Sequence, residues 1–203
     1  MTNKKTFTVL FRRRRKGKTD YQKRLALIKS NKKRLVVRKS NRELIVSLMV
    51  FNQEGDQTIV FVTTRELSSF GWKGSHSNLP AGYLAGLLAG KKAILAGEKE
   101  AILDFGLNTT HHGSVLFAIA KGAIDAGLQI KVGEDAIPSE ERIKGKHIAV
   151  WAEKLPSEQF QKQFSSVLKR GFDPKKIVET FEKTKEAILN APESKLKAKP
   201  KKS

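Results

Sequence analysis

A chain of 203 residues carries 40 Lys and Arg against 20 Asp and Glu, and the resulting +20 is segregated: residues 1–42 hold 17 basic residues and one acid, residues 43–190 hold 18 of each sign, and residues 191–203 hold five lysines and one glutamate. A neutral body with positive ends calls for a polyanionic partner, because such an arm repels itself when free and is compensated by phosphates when bound. The absence of cysteine excludes a disulfide framework, a thiolate metal site and a Cys nucleophile, and 39% hydrophobic content supports one core with appendages.

Residues 1–20 read as a basic arm. Arg12, Arg13, Arg14, Arg15, Lys16 and Lys18 stand nearly in series, which argues for a free chain in isolation that orders on a partner. Fully extended, the arm would reach about 60 Å. Phe7, Val9, Leu10 and Phe11 are its apolar exception and are expected to tuck against something. The apolar run Thr6 to Leu10 is too short for a signal peptide and leads into arginines.

Tyr21 to Lys29 has Tyr21, Leu25 and Ile28 at helical spacing, with Lys23 and Arg24 as basic flanks. Leu35 to Lys39 reads as a strand whose alternation puts Arg34, Val36 and Arg38 on one face and Leu35, Val37 and Lys39 on the other. Ser40-Asn41 signals a turn. Leu44 to Phe51 is a second strand, apolar on both faces and therefore central. After a hairpin loop at Asn52 to Asp56, Thr58 to Thr63 completes an antiparallel meander.

Ser68 to Ser77 reads as a loop carrying Trp72, Lys73 and His76, where Trp72 is either an RNA-stacking ring or a core plug. Asn78 caps the next helix, with Pro80 in its first turn and Gly97 at its end. The stretch Leu79 to Gly90 is well short of the ~20 residues needed to span a membrane, so the chain reads as soluble and cytoplasmic. Gly82, Gly86 and Gly90 form a stripe that costs about 1 kcal/mol per residue relative to alanine; close packing on the sheet is the expected reason for it.

Ala101 to Phe105 reads as a buried strand, followed by the loop GLNTTHHG. Ser114 then caps a helix that is closed by Gly127, and Leu128 to Val132 is extended. This strand–helix–strand unit and the meander imply a mixed α/β sheet covered by helices. Gly133 to Gly145 is polar and irregular, and Trp151 lies in a short apolar run that suits a core. Phe160, Phe164 and Val167 mark one helix; Asp173-Pro174 starts another with Ile177, Phe181 and Ile188 on its face. The pair reads as a helical hairpin docked on the core. The organisation expected is an arm at 1–20, a mixed α/β domain at 21–155, a helical extension at 156–190 and a disordered basic tail at 191–203.

Signals for chemistry are sparse. His111-His112 lacks a nearby acid or Cys to complete a metal set, and the loop Asn108 to His112 reads better as hydrogen-bond donors beside a helix start, or as a structural turn. A nuclease needs converging carboxylates; Asp104 could begin such a set, but no second acid has a compelling position. There is no Walker-type or GxGxxG loop. No catalytic residue, metal or cofactor is expected. The rival readings are an RNase-H-like nuclease and a non-ribosomal RNA chaperone or DNA-compacting protein.

Several segments carry a family resemblance. YQKRLALIKSNKKRLVVRKSNRELIVSLM (Tyr21 to Met49), SSFGWKGSHSNLPAGYLAGLLAGKKA (Ser68 to Ala93), ILDFGLNTTHHGSVLFAIAKGAIDAGLQI (Ile102 to Ile130) and FSSVLKRGFDPKKI (Phe164 to Ile177) occur in order. Together the chain resembles the archaeal and eukaryotic branch of the universal eighteenth protein of the large ribosomal subunit, in its archaeal form. Lys131-Val132 departs from the Pro-His that archaeal relatives often carry there. The resemblance implies a structural constituent of the large subunit that binds 5S rRNA and helps attach it to large-subunit rRNA in the central protuberance, beside neighbouring large-subunit proteins. It implies RNA contacts from Arg12, Arg13, Arg14, Arg15, Lys16, Lys18, Lys23, Arg24, Lys32, Arg34, Arg38, Ser40, Asn41 and Arg42, with Lys73 and His76 in addition. Asn41 at a turn offers both a donor and an acceptor, and the arginines offer forks for phosphate. On this reading the arm supplies affinity and the Arg34–Arg42 segment supplies register.

Overall fold

The computed structural model describes residues 8–196, so Phe7 and the end of the basic tail lie outside the described residues. In chain order the elements are α1 (Arg12–Arg15), α2 (Tyr21–Lys29), β1 (Arg34–Lys39), β2 (Leu44–Val50), β3 (Gln57–Thr63), α3 (Leu79–Leu95), β4 (Ile102–Asp104), α4 (Val115–Asp125), α5 (Glu140–Lys144), α6 (Lys146–Lys154), α7 (Ser157–Gln163), α8 (Ser165–Leu168), α9 (Ile177–Leu189) and α10 (Glu193–Leu196). The strands form one mixed sheet in the order β3-β2-β1-β4, with β1 antiparallel to β2 and parallel to β4. The expected meander and the mixed α/β class are both present.

Alternation explains the two faces of β1. Leu35 and Val37 are fully buried, as are Val46, Leu48 and Val62 on the neighbouring strands. α3 packs over these strands and is itself enclosed, since α4, α5 and α9 pack around it. An apolar helix with glycine and alanine on several sides suits such a position. Asn78 accepts from the Ala81 N–H at 3.1 Å, the expected cap. Ser114 occupies the cap position of α4 but makes no cap hydrogen bond, and its hydroxyl is buried without a partner.

The glycine stripe faces α4 rather than the sheet. A Cβ on Gly86 would lie 2.0 Å from the Ile119 carbonyl oxygen, and one on Gly122 would lie 2.1 Å from that of Tyr83. The two helix backbones therefore touch at reciprocal glycines. This close crossing is why the helical cost of glycine is tolerated.

Other expectations are corrected. Leu128 to Val132 adds no fifth strand; Gln129 makes a single parallel bridge to Glu100 before the chain turns away at Glu134–Ala136. The polar segment before Gly145 contains α5, whose Ile143 is buried. The stretch 157–170 is split into α7 and α8, neither of which contains a buried residue. Only the second partner of the expected hairpin docks firmly: Asp173 caps a 3-10 turn at Pro174–Lys176, and α9 buries Ile177, Phe181 and Ile188. In the tail, α10 brings Leu196 into the core. Among the described residues, no helix is long and apolar enough to cross a membrane.

Candidate nucleic-acid interface

Asp20 is the sole acid in the basic segment, and it is used as a cap. Its carboxylate accepts from the backbone N–H groups of Gln22 and Lys23 at 3.0 and 3.1 Å, which starts α2. Before it, Arg12 to Arg15 form one helical turn rather than a featureless chain, with all four side chains exposed. Phe11 rests against Tyr21, ring centroids 5.3 Å apart, and Arg13 Nε donates to Thr19 Oγ1 at 2.8 Å. These contacts fold the arm back over α2.

The inward face of α2 differs from the apolar spacing. Leu25 is 54% exposed, while Tyr21, Arg24, Leu27 and Ile28 are partly covered. Arg24 takes the place of an apolar anchor. It donates through both terminal nitrogens to Asp56, each at 2.9 Å, a two-point geometry that fixes direction as well as distance.

Asp56 belongs to a longer ionic chain. Arg34 donates to Asp56 at 2.7 Å and to Asp104 at 2.9 Å, and Arg38 donates to Asp104 at 3.2 Å and to its carbonyl oxygen at 2.8 Å. Arg34 is 2% exposed and is therefore removed from the RNA-contact set: it is an internal brace. The alternation that places Arg34 and Arg38 on one face is correct, but that face meets two aspartates before it meets solvent. Arg38 remains half-exposed, and Gly106, at φ +62°, leaves room for its guanidinium beside the loop backbone. Asp104 also accepts from the Gly106 N–H. With two guanidiniums on its carboxylate, Asp104 is a structural counter-ion, which removes the residue on which the nuclease reading rested. Among the described residues, no group of three or more His, Cys, Asp or Glu is placed to hold a metal ion.

Between the arm, α2 and the loop after β4 runs a groove of about 710 Å³. Arg13, Lys18, Lys23 and Arg38 line it together with Asn108 and Thr110 of the loop after β4; Asp20, Asp56 and Asp104 also border it, committed to the α2 cap and to Arg24, Arg34 and Arg38. The fold thus brings the loop residues noticed in the sequence up to the basic arm. His111 and His112 are exposed nearby. Lys32 is paired with Glu100 at 2.7 Å on the surface.

The second group of expected contacts lies at the β1–β2 hairpin. Asn41 and Arg42 are exposed at its tip, whereas Ser40 uses its hydroxyl to build the turn, accepting from the Glu43 N–H at 3.0 Å and donating to the Glu43 carbonyl at 2.8 Å. Lys73 is exposed. His76 is half-buried, with Nδ1 3.1 Å from the Thr64 carbonyl oxygen. Burial and then the charge of Arg170 hold its proton affinity below the ordinary histidine range. Trp72 is fully buried against Phe172 and donates to the Ser75 carbonyl, so it is the core plug and not a stacking platform. Trp151, expected in the core, is instead 50% exposed. Arg65 and Arg170 complete the surroundings of His76, and no sequence pattern marked either one.

These observations can be set beside known proteins. Residues 5–99, from the arm to just past α3, match the family described as ribosomal large subunit proteins 60S L5 and 50S L18. The large ribosomal subunit protein uL18 of Korarchaeum cryptofilum (strain OPF8) is 50% identical over 183 residues, which cover 90% of this chain and 94% of that protein. With a basic arm, a mixed sheet and an extended identity of this kind, the chain belongs to the uL18 family of large-subunit ribosomal proteins.

Proposed function

We propose that this chain, a structural and non-enzymatic constituent of the large ribosomal subunit, binds 5S rRNA and helps attach it to large-subunit rRNA in the central protuberance. The observation that carries this reading is the groove between the arm, α2 and the loop after β4. It lines up Arg13, Lys18, Lys23 and Arg38 along one channel, and Arg13, Lys18 and Lys23 have no acidic ion-pair partner among the described residues. RNA duplex is recognised mainly by shape, phosphates and 2′-hydroxyls, which suits arginine forks and the amide and hydroxyl of Asn108 and Thr110. The exposed Arg12 to Lys16 segment adds affinity with little selectivity, and Asn41 and Arg42 set register at the hairpin tip. Neighbouring large-subunit proteins are the further partners.

The test is binding to 5S rRNA with tRNA and duplex DNA as competitors across a salt series. The expected result is a preference for 5S rRNA that survives at roughly 0.15–0.2 M salt. Equal, steeply salt-dependent binding to all three would overturn the reading and favour a nonspecific RNA chaperone. Replacing Arg38 and Arg42 by Ala should cost more selectivity than deleting residues 1–15; equal loss from both would count against the division of labour.

A further inference from the structure

Four distant parts of the chain meet beside the β1–β2 hairpin: the hairpin tip, the turn after β3, the loop before α3 and the stretch after α8. They border an open cleft of about 620 Å³ whose lining includes Arg42, Arg65, His76 and Arg170, together with Asn41 and four serines. No acidic or apolar residue lines it. Arg65 is paired with Glu43 at 2.8 Å at the edge, but Arg42 and Arg170 form no ion pair among the described residues. Arg170 is nevertheless held in place, because one terminal nitrogen donates to the Gly74 carbonyl at 3.0 Å and the rest of the fork stays available.

Arg42 and Arg170 form no ion pair there and Arg65 meets only Glu43 at the edge, so the cleft keeps a positive excess that a bound anion would compensate. The lining also distinguishes the kind of anion. Protein interfaces are built on a desolvated apolar or aromatic centre, and this cleft has none. Arginine forks and serine hydroxyls match phosphate oxygens and ribose hydroxyls. We propose that the seam between the β1–β2 hairpin and the C-terminal extension is a second RNA-phosphate site, in which Arg65 and Arg170 join Arg42. The proposal rests on the reading of this chain as an rRNA-binding protein. It assigns the C-terminal extension a direct part in that binding, separate from the arm groove.

The experiment uses the full chain with Arg65→Gln, Arg170→Gln and the double variant, titrated with 5S rRNA and with a large-subunit rRNA transcript over a salt series. For at least one RNA, each substitution should lower the slope of log affinity against log salt by roughly one, the double variant by roughly two, with affinity falling several-fold at each step. Unchanged slopes for both RNAs would overturn the site and leave an acidic protein segment as the alternative occupant. If the slopes fall while the preference for 5S rRNA over tRNA is absent, the 5S assignment fails and the phosphate site stands. If that preference is intact and the slopes do not move, the site alone fails.

Arg170→Gln also removes the bond to Gly74, whereas Arg65→Gln removes only an exposed pair with Glu43, so the Arg65 variant is the one that disturbs local folding least. A second readout is the NMR titration of His76, whose proton affinity the charges of Arg170 and Arg65 lower and the Thr64 carbonyl and Glu43 raise. Bound phosphate should raise its midpoint in the wild-type protein. A midpoint that does not move on RNA binding would count against the site.

Discussion

Arg34 reaches Asp104 across 2.9 Å, joining β1 to β4 by a side-chain bond on the strand pair that is also joined in parallel. The same guanidinium holds Asp56 at 2.7 Å, so one buried cation ties the sheet edge to the loop that anchors α2. Arg34→Ala would leave Asp104 and Asp56 short of a partner in a covered site. Breaking a buried pair in this way costs about 3–5 kcal/mol. Chemical denaturation should show that loss, and the variant should bind RNA less well only in proportion to its unfolded fraction. A variant of wild-type stability that had lost RNA affinity would return Arg34 to the contact set.

Asp56 gives the fold a pH dependence of known sign. Burial works to raise its carboxyl, but the hydrogen bonds and charges of Arg24 and Arg34 outweigh burial and hold it below the usual carboxylate range. A group whose folded value is depressed adds stability above its unfolded value and loses that contribution as the pH falls through the folded one. The contribution is therefore present above about pH 4 and lost progressively below it. Thermal unfolding followed from pH 6 to pH 2 should decline more steeply in wild type than in Asp56→Asn. Parallel declines would mean that the carboxylate is not the titrating group.

Gly86 and Gly122 test the crossing of α3 and α4. Alanine in an exposed helix would gain about 1 kcal/mol over glycine. Here a Cβ at either site would fall within 2.1 Å of a backbone oxygen on the other helix, which neither backbone can evade without separating. Overpacking costs typically 1–3 kcal/mol and more where the obstacle is main chain. Gly86→Ala and Gly122→Ala should both lower Tm, whereas Gly133→Ala, at an ordinary φ with open space for a Cβ, should not. A stabilised Gly86→Ala would show that the helices do not pack this closely.

The two tryptophans should behave oppositely. Trp72 is fully buried and Trp151 half-exposed. Trp72→Ala should cost about 3–5 kcal/mol, and Trp151→Ala should stay within about 1 kcal/mol. In the single-tryptophan proteins, acrylamide should quench Trp151 far more than Trp72. Equal quenching would contradict the packing around Trp72.

Local physics made much of this legible in advance. Asn78 and Asp173 act as the expected caps because a short acceptor side chain before a helix bonds its first free N–H groups whatever the rest of the chain does, and Asp20, read only for its charge, caps α2 for the same reason. The meander followed from alternation and turn residues, and the buried face of α9 from its spacing. Other local patterns misled, two of them at the functional surface and in the core. Leu25 fits the apolar stripe of α2 but is exposed, because the Arg24–Asp56 pair rotates the helix onto its polar anchor. Trp151 fits an apolar run, but its helix ends up with one side open.

By itself, the sequence determined where the charge is concentrated, where the antiparallel strands and the longer helices lie, and that a polyanion is the partner; these depend on composition and short-range periodicity. Only the tertiary structure decided which cations remain free to meet that partner. Asp56 lies 22 residues from Arg34 and Asp104 lies 70 residues from it, so no local spacing could show that this arginine is already neutralised. The same holds for Arg65 and Arg170, unremarkable in a neutral stretch until the fold sets them beside Arg42. Charge is carried by residues, but the potential that RNA meets depends on distances, and distances between remote residues exist only once the chain has folded.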